Sequence, residues 1–264
     1  MLVRRMWVSA LGVTLAVSLV ACGGKQETSS TSAEPTGAAG GQKVDTATAG
    51  DVSGVVTLDG TAPKNEPIKM NADPVCVKEN KDPQFQETYE AADGKLANVF
   101  VYVKDGLGNY VYDTPTTPAT IDQKSCRYHP HVFGVRVGQP IEIVNSDPTL
   151  HNIHALPKGN AEFNTGQPIQ GMKTTHTFTA KEVMVPFKCD VHGWMNAYVG
   201  VLDHPYFAVT DKDGKFSLKS LPPGTYTIEA WQEKLGTQEQ KVTLGAKETK
   251  EVNFTFKAPA AAAD

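Results

Sequence analysis

The sequence predicts an all-β protein, and three observations carry that reading. From residue 51 onward apolar side chains recur at every second position, the period at which one face of a strand is buried. The alternating runs are separated by Gly, Pro, Asn and Asp, as in Asp105-Gly106, Asp211-Lys212-Asp213-Gly214 and Pro222-Pro223-Gly224, which are turn formers by their φ preferences. No stretch shows a sustained helical period bounded by caps.

The chain opens with Arg4 and Arg5 followed by an apolar run from Val8 to Ala21. That run is shorter than the roughly 20 residues a membrane span needs and suits the core of an export signal over residues 1–21. It ends in Leu19-Val20-Ala21-Cys22. This resembles the bacterial lipobox, which implies lipidation at Cys22 and an exported protein anchored to a membrane on its periplasmic side or at the cell surface. Residues 22–50 are rich in Ser, Thr, Ala and Gly with few large apolar side chains. They are expected to form a flexible linker, because such a segment buries too little surface to offset its ordering entropy. The tail 258–264 reads the same way.

Between them the expected strands, in order, are 54–58, 98–103, 132–137, 141–145, 175–179, 183–188, 197–202, 216–218, 225–231, 240–244 and 252–256. Most alternate apolar and polar residues, 98–103 is apolar almost throughout, and turn formers lie between them. Residues 64–90 lack a clear period and are expected to be irregular or to hold a short helix. The strand spacing favours sandwiches over a closed barrel. Lys and Arg number 25 against 29 Asp and Glu, an acidic balance that argues against a nucleic-acid surface.

Two segments carry the chemistry. One runs Asn145-Ser146-Asp147-Pro148-Thr149-Leu150-His151-Asn152 after a predicted strand. The other runs Phe187-Lys188-Cys189-Asp190-Val191-His192-Gly193-Trp194-Met195 after another. Together they offer a thiolate, imidazoles and a thioether, the ligand set of a mononuclear blue copper site. Cys-x2-His-x2-Met lets one tight loop present three ligands, while His151 must come from a different strand. At these residues the chain resembles the cupredoxin family, over about 115–202, with a short ligand loop most similar to the amicyanin group. The resemblance implies one type 1 copper held by His151, Cys189, His192 and Met195. It also implies that Asn152 hydrogen-bonds across to the Cys loop. His129, His131 and His154 are read as polar surface or hydrogen-bonded core, and His176 and His204 as surface or turn residues. Trp194, inside the loop, is placed to shield the metal or to form part of a docking surface.

With Cys22 assigned to lipid and Cys189 to metal, Cys76 and Cys126 remain in an oxidising compartment and are expected to form a disulfide.

Residues 208–257 contain Asp211-Lys212-Asp213-Gly214-Lys215-Phe216 and Leu221-Pro222-Pro223-Gly224-Thr225-Tyr226. They resemble the carboxypeptidase regulatory-like, or transthyretin-like, β-sandwich. The opening strands of that sandwich are missing downstream, but Gly54-Val55-Val56 and Asn98-Val99-Phe100-Val101 fit them upstream. A discontinuous sandwich of 51–106 and 208–257 is therefore expected, with the cupredoxin part, 107–207, inserted between.

Three functions follow from these expectations. The first is one-electron transfer outside the cytoplasm, with a cytochrome, dehydrogenase or oxidase as redox partner. The second is copper binding for delivery, and the third is surface recognition with a structural copper. Enzymatic activity is not expected, because multicopper catalysis needs His-rich copper sites from further cupredoxin domains. The membrane partner is expected through the lipid, and no nucleic acid is expected.

Overall fold

Period-two alternation produces strands throughout the computed structural model, which describes residues 41–260. The expected signal segment, Cys22, the first part of the linker and residues 261–264 lie outside the described residues. No described helix is long and apolar enough to cross a membrane.

The chain begins with β1 (Gly50–Asp59), α1 (Pro74–Glu79), β2 (Ala91–Ala92), β3 (Lys95–Leu96) and β4 (Phe100–Asp105). Next come β5 (Ala119–Lys124), β6 (Arg127–His129), β7 (Val132–Arg136), β8 (Pro140–Asn145) and β9 (His151–Ala155). They are followed by β10 (Phe163–Gln167), β11 (Lys173–Thr177), β12 (Glu182–Lys188) and β13 (Asn196–Leu202). The last stretch holds β14 (Phe207–Val209), β15 (Lys215–Leu221), β16 (Gly224–Gln232), β17 (Gly236–Leu244), β18 (Thr249–Glu251) and β19 (Phe254–Lys257).

Two pairs of sheets result. In the first pair, β1 runs antiparallel to β15 and parallel to β18 and β19, and β4 lies between β14 and β16, with β17 beyond. The first strands of the chain are thus completed by its last ones. Between these sheets lie Val52, Val56, Val101, Val103, Ile228, Phe254 and Phe256, all buried. In the second pair the orders are β10-β9-β12-β13-β7 and β11-β8-β5-β6. Their core includes Ile121, Tyr128, Ile141, Ile143, Ile153, Phe178 and Phe187.

Strand β4 is buried on both faces, which its Phe100-Val101-Tyr102-Val103 run anticipates, since an alternating pattern is lost when neither face meets water. Val101 and Val103 enter the first core. Phe100 and Tyr102 join Val132, Met184 and Leu202 in a third cluster against β7 and β13. There the backbones of Gly134 and Gly200 come so close that a Cβ on Gly200 would lie 2.3 Å from the Phe100 ring.

Eight of the described strands, β2, β3, β5, β6, β9, β10, β14 and β18, have no counterpart in the sequence reading. In β5, β9 and β10 polar side chains take buried positions: Gln123, His151, Asn152 and Gln167 are all buried. Gln167 Nε2 donates to the Ile143 carbonyl at 3.0 Å, and Gln123 is bonded to Gln167 and to the Val144 carbonyl. These polar groups replaced the apolar beat that marks a strand. The end of the expected linker also differs. Gln42 N–H donates to the Asn109 carbonyl at 3.0 Å and Val111 N–H to the Gln42 carbonyl at 3.0 Å, so residues 41–50 pack on the fold.

Of the histidines outside the ligand segments, His204 needs correction. His129 ends β6 and is exposed, whereas His131 precedes β7. His131 is buried and its Nε2 lies 2.7 Å from Glu233 Oε1. His204 is buried rather than at the surface, and His176 stacks on Phe163 with centroids 3.7 Å apart.

Candidate metal centre

Strand β9 starts at His151, and β12 ends one residue before Cys189. The loop from Cys189 to Met195 then leads into β13. Cys189 N–H donates to the Met195 carbonyl at 3.1 Å, and Met195 N–H donates to the His192 carbonyl at 2.8 Å. Two backbone bonds therefore close the loop and point Cys189 and His192 to the same side. His192 N–H also donates to Cys189 Sγ at 3.3 Å.

The side chains of His151, Cys189 and His192 converge. One ligand atom from each lies within 4.8 Å of the other two, and all three residues are buried. His151 Nδ1 is 2.9 Å from His192 Nδ1, and Cys189 Sγ is 3.9 Å from His192 Nδ1. Met195 is buried in the same apolar cluster as Cys189. Asn152 closes the arrangement: its Oδ1 accepts from Asp190 N–H at 2.8 Å and from Cys189 Sγ at 3.2 Å. Tyr128 Oη donates to the Asn152 backbone carbonyl.

Each imidazole has its outer nitrogen on a carboxylate. His151 Nε2 lies 2.9 Å from Asp147 Oδ2, and His192 Nε2 lies 3.0 Å from Asp73 Oδ2. An ionised carboxylate only accepts, so each Nε2 carries a proton, and each Nδ1 is turned toward the other ring and Cys189. Such outer contacts fix tautomer and ring orientation and raise ligand basicity. Asp147 is held in turn by the N–H groups of Ser125 and Cys126, both at 2.7 Å.

The electrostatics favour charged forms. Burial opposes ionisation of Cys189, yet hydrogen bonds from His151, His192 and the backbone of Asn152 and His192 bring its pKa down to about 6. Burial likewise opposes charge on Asp147, but the bonds from His151, Cys126 and Ser125 leave its pKa lowered. For His151, burial is outweighed by Asp147 and Cys189, and its pKa rises to about 9.

The expected Cys76–Cys126 disulfide is formed, with Cα atoms 5.6 Å apart. It is buried and adjoins the cluster, Cys76 Sγ lying 3.7 Å from His192 Nε2. Trp194 is half-buried, its ring centroid 5.0 Å from that of His192, and its Nε1 donates to the Cys126 carbonyl at 3.0 Å. His154 stands outside the cluster, with its nitrogens on Asp190 and Glu162. Sequence reasoning missed Asp147 and Asp73. Asp147 precedes His151 by four residues in a turn, which was a usable signal. Asp73 had none, because only the fold brings it to His192.

The donor set fits copper. One thiolate of lowered pKa, two imidazole nitrogens and a neighbouring Met in a buried pocket suit a copper ion better than hard oxygen-seeking cations.

Residues 195–257 match the carboxypeptidase regulatory-like domain family. That match starts inside the ligand loop, at Met195, rather than at residue 208. No protein of curated function matches the chain. Among solved structures, a purple cupredoxin from Nitrosopumilus maritimus is similar at 22% identity and a TM-score of 0.28, covering 31% of this chain and 98% of its own. A copper-containing nitrite reductase from Thermus scotoductus is similar at 18% identity and a TM-score of 0.32, covering 57% of this chain and 28% of its own. A mutant amicyanin in the Cu(I) state is similar at 17% identity and a TM-score of 0.29, covering 38% of this chain and 97% of its own. The described structure is nearly all β, and over residues 195–257 the chain is similar to the carboxypeptidase regulatory-like domain family.

Proposed function

We propose that the protein is a one-electron carrier with a single type 1 copper held by His151, Cys189, His192 and Met195. The observation that supports this most is the burial of the donor trio within a fully hydrogen-bonded shell. A delivery protein needs an accessible or loosely built site. An electron carrier needs ligands that stay in place while the metal changes oxidation state, and here the side chains of His151, Cys189 and His192 are each held by a hydrogen-bond partner, Asp147, Asn152 and Asp73.

When bound, the copper would cycle between Cu(I) and Cu(II) and supply the redox chemistry. The protein's part is to hold both Nδ1 lone pairs and the thiolate in register and to keep water out. Leu150 and Val191 are exposed, and each directly precedes a proposed ligand. They form apolar surface at the ligand loops, where transient docking of a cytochrome, dehydrogenase or oxidase suits a small, weakly bound interface. In this reading Cys22 carries the lipid that tethers the carrier outside the cytoplasm, residues 51–106 complete the sandwich of 208–257, and that sandwich serves as spacer or docking platform rather than as an enzyme.

The test is the visible spectrum of the purified protein with Cu(II), beside Cys189→Ala. An intense thiolate-to-copper charge-transfer band, absent from the variant and bleached reversibly by a mild reductant, is the expected result. A colourless protein that binds copper equally well without Cys189 would overturn the carrier reading. Mass analysis of the mature N-terminal peptide tests the lipid on Cys22, and an unmodified Cys22 refutes the anchor.

A further inference from the structure

The segment between β1 and β2 is an excursion from the first sandwich that reaches the candidate metal centre of the second. Its short helix α1 begins at Pro74, and Asp73 caps it by accepting the Val75 N–H on Oδ1 at 2.7 Å. The same carboxylate then does two things a cap does not require. Oδ2 accepts from Thr149 Oγ1 at 2.8 Å and stands 3.0 Å from His192 Nε2. Thr149 lies two residues before His151, and its carbonyl accepts from Asn145 Nδ2 at 2.9 Å.

Helix α1 is held down independently of Asp73. Cys76 is bonded to Cys126, and Asn80 Nδ2 donates to both the Cys76 and Ser125 carbonyls, at 2.9 and 3.0 Å. On the far side of the disulfide, the N–H groups of Ser125 and Cys126 hold Asp147, the partner of His151. The disulfide therefore joins the two segments that position the two carboxylates, one behind each imidazole. His192, whose edge a bare loop would leave open to solvent, is buried at 2% exposure.

We propose that Asp73 is a positioning residue for the metal centre: pinned by the Cys76–Cys126 disulfide, it fixes the ring of His192 and places a negative charge behind it that favours the oxidised metal. This inference rests on the copper reading above. Two consequences follow. The His192 ring is locked with Nδ1 inward, because the carboxylate accepts from its Nε2–H. A fixed negative charge in a poorly solvated site stabilises the more positive of two oxidation states.

The test compares three copper-loaded full-length proteins. Asp73→Asn keeps a cap and a hydrogen-bond acceptor but removes the charge. Asp73→Ser keeps the cap but does not reach His192. The expected result is that Asn and Ser each shift the Cu(II)/Cu(I) equilibrium about tenfold toward Cu(I), some 59 mV for a one-electron couple. Ser should in addition alter the charge-transfer band, because the ring is no longer fixed. Thermal unfolding of the metal-free proteins serves as the control for folding. If the parent shows the blue band while both variants keep its potential and spectrum within twofold, Asp73 is a helix cap only and the proposal falls alone. If the parent itself forms no thiolate–copper band, the copper reading and this inference fall together.

Discussion

Breaking the Cys76–Cys126 bridge tests how the excursion over the metal centre is stabilised. The two residues are 50 apart in sequence. For a loop of that size the loop-closure relation gives an entropy loss in the unfolded chain of about 14 cal/mol/K, or about 4 kcal/mol at 25 °C. Both sulfurs are buried, so the Cys76→Ser, Cys126→Ser double variant also places two hydroxyls in an apolar setting, which adds to the loss. The expected destabilisation is about 4 kcal/mol, corresponding to a fall in Tm of about 8–16 °C for a protein of this size. The assay is equilibrium urea unfolding of metal-free parent and variant under non-reducing conditions, with the thermal melt as a second measure. The parent in a strong dithiol reductant should approach the variant. A loss below 1 kcal/mol, with the parent unaffected by reductant, would refute the argument that this bridge restrains the chain.

Several other perturbations have defined outcomes. Gly200→Ala drives a methyl group against the Phe100 ring where β13 meets β4, and overpacking of this kind should cost about 1–3 kcal/mol in unfolding experiments; an unchanged midpoint would show that the cluster is not tightly packed. Burial depresses His204 to about 4 from 6.5, and its Nδ1 accepts from Tyr206 N–H. The fold thus holds the neutral ring while the unfolded chain takes up a proton below pH 6.5. Stability should therefore fall as pH decreases from 6.5 to 4, by on the order of 3 kcal/mol, and His204→Gln should flatten that slope; equal slopes would refute it. Asn152→Ala removes the acceptor for Asp190 N–H and for Cys189 Sγ and should destabilise by about 2–3 kcal/mol, with a weakened charge-transfer band in the copper form; an intact band and midpoint would show that the loop closes without it. Leu150→Lys with Val191→Lys should slow electron self-exchange measured by NMR line broadening while leaving the visible spectrum unchanged, and an unchanged exchange rate would remove this face from the docking surface.

The all-β class was legible because it rests on local facts: side chains alternate and turn formers interrupt. The apolar strands β7, β8, β12, β13 and β16 were found within a few residues for that reason. Strand β4 was found because both its faces are apolar. Strands β9 and β10 escaped because the positions that face inward carry His151, Asn152 and Gln167. A pattern method reads a polar residue as outward, whereas these are buried with partners supplied by other strands. The same residues that hide the strand carry the site.

The ligand loop is local too, so Cys189, His192 and Met195 were recognisable from spacing, and His151-Asn152 from its place after a strand. Their meeting was not local: it depends on β9 pairing with β12, where Lys188 stands opposite His154. The sequence by itself therefore determined the strand-rich class, the donor types and the cysteines free to pair. Only the tertiary structure decided that Asp73 and Asp147 back the two imidazoles, that His204 is buried and that the disulfide lies against His192. These contacts join residues 4 to 119 positions apart, and most depend on sheet registers and cross-links that carry no mark in the neighbouring sequence. A hydrogen bond to a buried imidazole needs only an acceptor at the right place, and any stretch of chain that the fold brings there can provide it.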